Sequence, residues 1–368
     1  MKALAIKPGT AGIKIKDVPE PQIKNGNDIV IKVLQVGICG TDRDEVSGVR
    51  ANAPKGEEEL IIGHEMIGEV VEIGKEVHNA AIGDLGLFTV RRGCGICKPC
   101  ELKRSDMCYS GQYTERGIKS LHGYQSEFVI DKEEYFISVP EEIKSIGVLT
   151  EPMSIAEKAI YEALQIQSLR IPGFNEEEWL NNSRVLVAGI GSVGLLASFI
   201  LGLKGAKVYG LDIVDENSIR PSILKSLGGT YIDGRKVNAT DIDDVCGEMN
   251  FIFEATGIAK LEFQLTDALG INGIYALTGI PEGERPVTIM GNELMRQMVL
   301  RNQVILGSVN ASKDCFHMAV DDLLKAKKKW GGLIDKIITE KVPVRDFSSI
   351  FKKHSPDEIK VVTEWIPG

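Results

Sequence analysis

The sequence predicts an α/β protein in two parts, a β-rich domain followed by a doubly wound parallel sheet. Three observations carry this. Short β-branched runs separated by glycine, proline and asparagine fill the first 150 residues, the pattern of many short strands joined by turns. From Arg184 onward, strand-like and helix-like stretches alternate, and such alternation builds a parallel sheet with helices on its faces. The 368 residues are enough for two domains.

Taken in order, Met1–Lys7, Ile13–Val18 and Asp28–Val36 alternate apolar and polar residues and read as strands. Ile61–Ile73 reads as another, interrupted by Gly63 and Gly68, and Leu85–Val90 as a further strand after Gly83-Asp84. Thr150–Gln167 is predicted as a helix, with Pro152 near its start and an apolar face that includes Ile155, Ala159 and Ile166. Ser168–Ser183 reads as a polar connection. Beyond it, Arg184–Ala188, Lys207–Leu211, Phe251–Ala255, Gly273–Leu277 and Gln303–Leu306 are buried-strand candidates. Helices are expected from the glycines after Ala188 to about Leu203, then near Ser218–Leu227, Leu261–Leu269 and Glu293–Leu300, and from about Ala311 to Lys328, before mixed elements ending in Glu358–Trp365. The expected division is residues 1–155, 156–310 and 311–368.

The chain is 43% hydrophobic and 26% charged, ordinary for a globular protein, with net charge −9. It has no run of Lys or Arg longer than Lys327–Lys329, which argues against nucleic acid or an anionic membrane as partner. The N-terminus lacks the apolar core and cleavage site of a secretory signal, and no stretch reaches the ~18 apolar residues of a membrane span. The expected location is cytoplasmic.

Cys94, Cys97, Cys100 and Cys108 follow one another at spacings of two, two and seven intervening residues. Four thiols so close match a tetrahedral zinc site, with Gly93, Gly95 and Pro99 letting the backbone wrap an ion. The alternatives are disulfides or four ordinary buried cysteines. Clustered thiols in a chain without export features favour the metal. A site closed by four protein ligands is structural, so the lobe at about 91–110 directs attention elsewhere for chemistry. Cys39, Cys246 and Cys315 add no disulfide framework.

Gly189-Ile190-Gly191-Ser192-Val193-Gly194 follows a strand and opens a helix, and Asp212 stands eighteen residues beyond the last glycine, at the end of the next strand. GxGxxG alone is weak; in this context it reads as a dinucleotide site. The glycines permit a tight turn, close approach of a pyrophosphate and close helix–strand contact, and the helix N-terminus offers N–H groups to phosphate.

Cys39, in Gly37-Ile38-Cys39-Gly40-Thr41-Asp42, ends one strand, and His64, in Gly63-His64-Glu65, is expected on another. A thiolate and an imidazole suit a catalytic zinc with an open position. Taken singly, however, Cys39 reads as a small buried hydrophobe and His64 as a satisfied core histidine, and spacing alone does not join them. His78 sits in an exposed-looking Glu-rich loop, and His122, His317 and His354 have no thiol in a comparable turn.

Together, these motifs resemble the zinc-dependent medium-chain alcohol dehydrogenase family over nearly the whole chain. Gly40-Thr41-Asp42-Arg43, Arg91-Arg92-Gly93-Cys94, Leu149-Thr150-Glu151-Pro152, Ser308-Val309-Asn310 and Asp357-Glu358-Ile359-Lys360 look like its archaeal-type glucose dehydrogenase branch. The resemblance implies a GroES-like β-rich catalytic domain, a Rossmann domain and a C-terminal segment returning to the first. It implies two Zn²⁺ per chain, one structural and one catalytic. The catalytic ion would be held by Cys39, His64 and Glu151 with Glu65 as ligand or close partner, and Asp42 would orient the histidine. Thr41 would begin a proton relay, and Thr41, Glu115, Glu151 and Asn310 would bind sugar. The dinucleotide would be met by Gly189 to Gly194, Asp212, Thr278, Gly279, Ile280, Ser308, Val309, Asn310 and Lys360. Asp212 with Asp215, and Arg220 only eight residues on, favour NAD with NADP possible.

The implied reaction is hydride transfer from an aldose such as D-glucose to NAD(P)⁺, giving the lactone. Val90, Ile155 and Leu300 stand where relatives can place polar residues toward sugar, which leaves a polyol-, sorbitol- or threonine-type dehydrogenase as the alternative. A non-catalytic NAD(P)-binding redox sensor would need no Cys39–His64–Glu151 set. The resemblance further implies a homo-oligomer, a tetramer ahead of a dimer.

Overall fold

The computed structural model describes residues 1–281, 283, 286–351, 355 and 357–365. The chain divides into two compact units: Met1–Ser154 with Asn310–Leu324 and Ile334–Gly368, and Ile155–Val309 with Lys325–Leu333. The expected segment 311–368 is thus divided. Lys325–Leu333 groups with the second unit, where the Trp330 ring meets Phe199 edge-on at 5.5 Å and Lys329 Nζ donates to Gly202 O.

In the first unit the main sheet runs Phe136–Ser138, Leu85–Phe88, Glu65–Ile73, Asp28–Ile38, Lys360–Glu364, Ile338–Pro343, and Phe128–Lys132 pairs with Asp28–Ile38. Asp28–Ile38 is buried along nearly its whole length and pairs with three other strands, so its β-branched run Ile29, Val30, Ile31, Val33, Val36 and Ile38 forms the middle of the core. The unit has two smaller sheets, Lys14–Asp17, Lys2–Ile6, Leu60–Ile61, and Arg91–Arg92, Thr114–Arg116, Ser120–Leu121.

The second unit is a six-stranded sheet in the order Thr230–Asp233, Lys207–Asp212, Arg184–Ala188, Met249–Glu254, Leu269–Leu277, Val304–Gly307. Every pairing is parallel. The order reverses between Arg184–Ala188 and Met249–Glu254, and that switch point is where open α/β sheets bind ligands, at the carboxyl ends of the strands.

Several expectations needed correction. The polar connection Ser168–Ser183 contains a helix, Glu176–Asn181, whose first turn is capped by Asn175 Oδ1 accepting from Glu178 N–H. Ile61–Ile73 is two strands, Leu60–Ile61 and Glu65–Ile73, and His64 lies just before the second instead of on it. The helix expected at Leu261–Leu269 is Ala259–Gln264, because Leu269 already pairs with Met249 in the sheet. Strands Phe128–Lys132 and Thr230–Asp233 had no clear alternation to reveal them.

Candidate functional site

Cys39 and His64 are brought together by strand register. Asp28–Ile38 and Glu65–Ile73 are antiparallel with Gly37 opposite Glu65, so the residue just beyond one strand meets the residue just before the other. Cys39 Sγ and His64 Nε2 lie 3.1 Å apart. Register alone would not allow this without Gly37, since a Cβ there would come within 2.1 Å of Glu65 Oε2. Helix Gly40–Ser47 begins directly after Cys39, and Asp42 in its first turn accepts the Cys39 backbone N–H at 2.9 Å. The other Asp42 oxygen faces His64 Nδ1 at 3.7 Å.

Ligand atoms of Cys39, His64 and Glu65 all lie within 4.8 Å of one another. Burial pushes the Cys39 thiol above its ordinary range, with Asp42 and Glu65 adding to the effect. A dication reverses that balance, since a coordinating thiol loses its proton. The donor set therefore fits zinc. Glu65 is already engaged: Lys360 Nζ donates to both its oxygens at 2.7 Å and to Ile38 O at 3.2 Å, and both side chains are buried. Lys360, expected among the dinucleotide residues, is placed on Glu65. Glu151, in the first turn of helix Thr150–Arg170, is buried but is not part of the Cys39, His64, Glu65 group. Burial pushes its carboxyl up to about 7, with the Glu65 charge adding and His64 and Lys360 opposing. Thr41 is half-buried in the first turn of Gly40–Ser47. His78 and His122 are engaged elsewhere, in a loop bonded to Glu133 and in a pair with Glu57; His354 lies outside the described residues.

Glu115 and Asn310, 195 positions apart, meet in the first unit, where Asn310 Nδ2 donates to Glu115 Oε1 at 2.8 Å. Arg91, directly across the strand pair from Glu115, donates to the same oxygen from Nε at 3.1 Å and Nη2 at 2.9 Å. Of the three apolar positions, Val90 is buried, Ile155 half-buried, and Leu300 is 73% exposed on its helix.

The four lobe cysteines carry no disulfide. Their sulfurs lie 3.4 Å (Cys97–Cys100), 3.9 Å (Cys97–Cys108) and 4.0 Å (Cys94–Cys100) apart, and all four within 4.8 Å. A tetrahedron of sulfurs at ~2.3 Å from zinc has edges of about 3.8 Å, so the lobe fits the ion. A hydrogen bond from Ser110 leads the effects that bring the Cys108 thiol down to about 6, while burial pushes Cys100 up to about 12.

In the second unit, Gly189 to Gly194 join strand Arg184–Ala188 to helix Ser192–Leu203. A Cβ on Gly194 would strike Gly189 O at 1.8 Å, whereas one on Gly191 would meet nothing within 4 Å. The turn is therefore tight beneath the helix and open where a pyrophosphate would lie, and the buried Ser192 hydroxyl has no protein partner there. Asp212 accepts from Ile190 N–H at 3.1 Å and from Ile213 N–H at 2.7 Å, and Arg220 Nη1 stands 3.6 Å away. Thr278, Gly279 and Ile280 follow the strand end at Leu277, and Ser308 and Val309 follow the strand ending at Gly307.

Glu254 was not anticipated. It is fully buried at the end of a central strand, where Oε1 accepts from Thr256 N–H and Oγ1 and from Gly257 N–H, and Oε2 from Gly279 N–H. Its one signal was an acid closing an apolar strand before Ala255-Thr256-Gly257.

The model for the glucose dehydrogenase C-terminus matches residues 144–365. This chain belongs to the alcohol dehydrogenase family, in its glucose dehydrogenase branch. The alcohol dehydrogenase GroES-like domain model matches residues 25–141. Within the branch, it is 36% identical to a glucose 1-dehydrogenase of Vulcanisaeta moutnovskia, covering 100% of this chain and 99% of that one. It is 34% identical to the enzyme of Methanocella arvoryzae, covering 99% of each. Haloferax mediterranei glucose dehydrogenase, solved with NADP, Zn and gluconolactone, matches with a TM-score of 0.89 at 33% identity over the full length of both chains. The GroES-like domain plus Rossmann sheet expected of the glucose dehydrogenase branch is the fold observed. No helix among the described residues is long and apolar enough to cross a membrane.

Proposed function

We propose that the protein is a zinc-dependent dehydrogenase that oxidises an aldose such as D-glucose to its lactone with NAD(P)⁺. The observation that carries this reading is the Cys39–His64 pair at 3.1 Å in a chain that also closes a GxGxxG turn with an acid at the next strand end. Bound zinc would supply a Lewis acid that makes the substrate hydroxyl more acidic, and the nicotinamide a hydride acceptor. Cys39 and His64 would hold the metal, with Glu151 as the third protein ligand. Glu65, already bonded by Lys360, serves as a close partner of the ion instead of a permanent ligand. The Thr41 hydroxyl accepts the proton that the substrate hydroxyl gives up and passes it outward. Glu115, Glu151 and Asn310 pair the remaining sugar hydroxyls, each of which would otherwise be buried without a partner.

Two zinc ions per chain are proposed, the second in the Cys94, Cys97, Cys100 and Cys108 lobe. The thiol sets need a reducing compartment, which supports a cytoplasmic location. NAD is proposed as the preferred dinucleotide and NADP as a second one. The sheet edge Val304–Gly307, with Met295, Val299 and Leu300 exposed on the neighbouring helix in sequence, supports self-association, a tetramer ahead of a dimer.

The deciding experiment is a turnover panel on zinc-loaded enzyme with aldoses, polyols, L-threonine and simple alcohols, each with NAD⁺ and NADP⁺. Highest kcat/KM on an aldose with lactone as product supports the reading; a polyol or L-threonine in first place replaces it.

A further inference from the structure

Three donors converge on one oxygen of Glu115. Arg91 Nε and Nη2 and Asn310 Nδ2 all bond to Oε1, at 3.1, 2.9 and 2.8 Å. Among the described residues, Oε2 has no hydrogen-bond partner. An arginine facing a carboxylate commonly takes one oxygen with each arm of its fork; here both arms go to the same oxygen, and the asparagine joins them there. A carboxylate oxygen with two lone pairs is saturated by three donors. The result is a carboxylate with one oxygen satisfied by protein and the other left as an acceptor.

Arg91 is itself held on every side. It is 7% exposed and stands opposite Glu115 in the antiparallel pair of Arg91–Arg92 with Thr114–Arg116. Its remaining arm, Nη1, donates to Asp106 O at 2.8 Å, two residues before Cys108. The Tyr113 ring lies 4.0 Å from the guanidinium carbon, and Lys119 Nζ stands 3.8 Å from the same ring. A guanidinium fixed this way cannot follow Glu115 if the carboxylate rotates, so the rotamer of Glu115 is set by Arg91.

We infer that Arg91 is the positioning residue of the sugar site: it pins Glu115 Oε1 and thereby presents Oε2 to a substrate hydroxyl. The inference rests on the reading that Glu115 binds the sugar. Arg91 touches no substrate and acts through Glu115. Asn310 shares that work with one N–H of its Nδ2, the second N–H being left for a sugar hydroxyl, while its Oδ1 accepts from Ala311 N–H at 3.0 Å. Lysine replaces arginine only in part here, because an ammonium keeps the charge but cannot give two parallel N–H bonds to one oxygen while holding a third acceptor.

The test is steady-state kinetics on zinc-loaded wild type, Glu115→Ala, Arg91→Met, Arg91→Lys and the Arg91→Met/Glu115→Ala double variant, with glucose and the dinucleotide varied in turn. Arg91→Met is expected to raise the KM for glucose by about fivefold or more while the dinucleotide KM changes by less than about twofold. Arg91→Lys should fall between wild type and Arg91→Met. The double variant should be no worse than Glu115→Ala alone, because a residue that acts through Glu115 has nothing left to position. Losses that multiply in the double variant, or an unchanged glucose KM in Arg91→Met beside a raised one in Glu115→Ala, overturn the inference and leave the sugar role of Glu115 standing. An unchanged glucose KM in Glu115→Ala removes that role, and the inference with it. Should Arg91→Met fail to fold, by zinc content and melting temperature, Arg91→Lys decides by the same KM split and its own double variant.

Discussion

Asp42 Oδ1 and His64 Nδ1 face each other at 3.7 Å, both buried and neither with another hydrogen-bond partner. Two polar atoms left so in a protein interior are costly unless they pair, and a small closing movement gives the carboxylate–histidine bond that fixes which imidazole nitrogen meets a metal. Asp42 is already anchored through its other oxygen on the Cys39 N–H. One carboxylate therefore touches both halves of the Cys39–His64 pair. Asp42→Asn is expected to weaken the more labile zinc by roughly 10- to 100-fold, read by chelator competition. Unchanged affinity would mean that the 3.7 Å approach orients nothing.

The two thiol-bearing sites should release metal differently. Brief chelation should remove the ion at Cys39 and His64, abolish turnover and leave the far-ultraviolet circular dichroism unchanged. Removing the ion from Cys94, Cys97, Cys100 and Cys108 should lower the melting temperature sharply, because that lobe is short of regular structure and binding energy there is folding energy. Acid should release the first ion readily, since Glu151, at about 7, and the raised Cys39 thiol must both lose protons to bind it. Full activity in a zinc-free protein would end the catalytic-metal reading.

Glu45 predicts a pH-dependent stability. It is fully buried in helix Gly40–Ser47, and neither carboxylate oxygen has a hydrogen-bond partner. Burial, with the Asp42 charge adding to it, pushes its carboxyl up to about 9. The folded chain then keeps a proton that the unfolded chain gives up above about 4.5, so stability falls as pH rises between those two values. Glu45→Gln should be increasingly more stable than wild type from pH 5 to pH 8, the difference growing by about 1 kcal/mol per pH unit. Urea denaturation of zinc-loaded protein at the two pH values measures this; an equal difference at both would show that Glu45 ionises freely in the folded state.

Asp212 and Arg220 are proposed to set the dinucleotide preference. Asp212 is bonded to the glycine turn through Ile190 N–H, where its charge repels a ribose 2′-phosphate, while Arg220 at 3.6 Å supplies a positive group that tempers the repulsion. NAD⁺ is expected to be preferred by about tenfold or more in kcat/KM. Asp212→Asn with Ile213→Arg should move the preference toward NADP⁺, and Arg220→Ala should reduce whatever NADP⁺ use the wild type shows. Better use of NADP⁺ than NAD⁺ by the wild type would remove Asp212 from the ribose.

Glu254→Gln should weaken dinucleotide binding without changing zinc content. The carboxylate accepts from backbone N–H groups after two adjacent central strands, and Gln would keep one acceptor and turn the other into a donor facing N–H. Loss of such charge-assisted bonds costs about 1.5–3 kcal/mol, here divided between stability and binding. Dinucleotide affinity by fluorescence quenching, beside zinc analysis, reads the effect; unchanged affinity would mean the two loops hold their shape without it.

What was legible in the sequence was local. The four-cysteine lobe and the GxGxxG turn each lie within a short stretch, so the spacing that fits an ion or a phosphate can be counted along the chain. Strands with clear alternation or long apolar runs, such as Asp28–Ile38 and Arg184–Ala188, could be read for the same reason. Helix Glu176–Asn181 was local too, and its Asn175 cap with an acid three residues on was the signal passed over.

Read residue by residue, the sequence offered a thiol lobe suited to a metal, a glycine turn with its acid suited to a phosphate, and a thiol and an imidazole that only the family resemblance joined. The physical reason that these groups meet lies in the tertiary structure alone. Cys39 meets His64 because antiparallel register sets Gly37 against Glu65, Glu65 meets Lys360 across 295 positions, and Glu115 meets Asn310 across 195. Such meetings depend on which strands pair and in what register. Burial of whole strand faces sets that register, and no spacing along the chain records it.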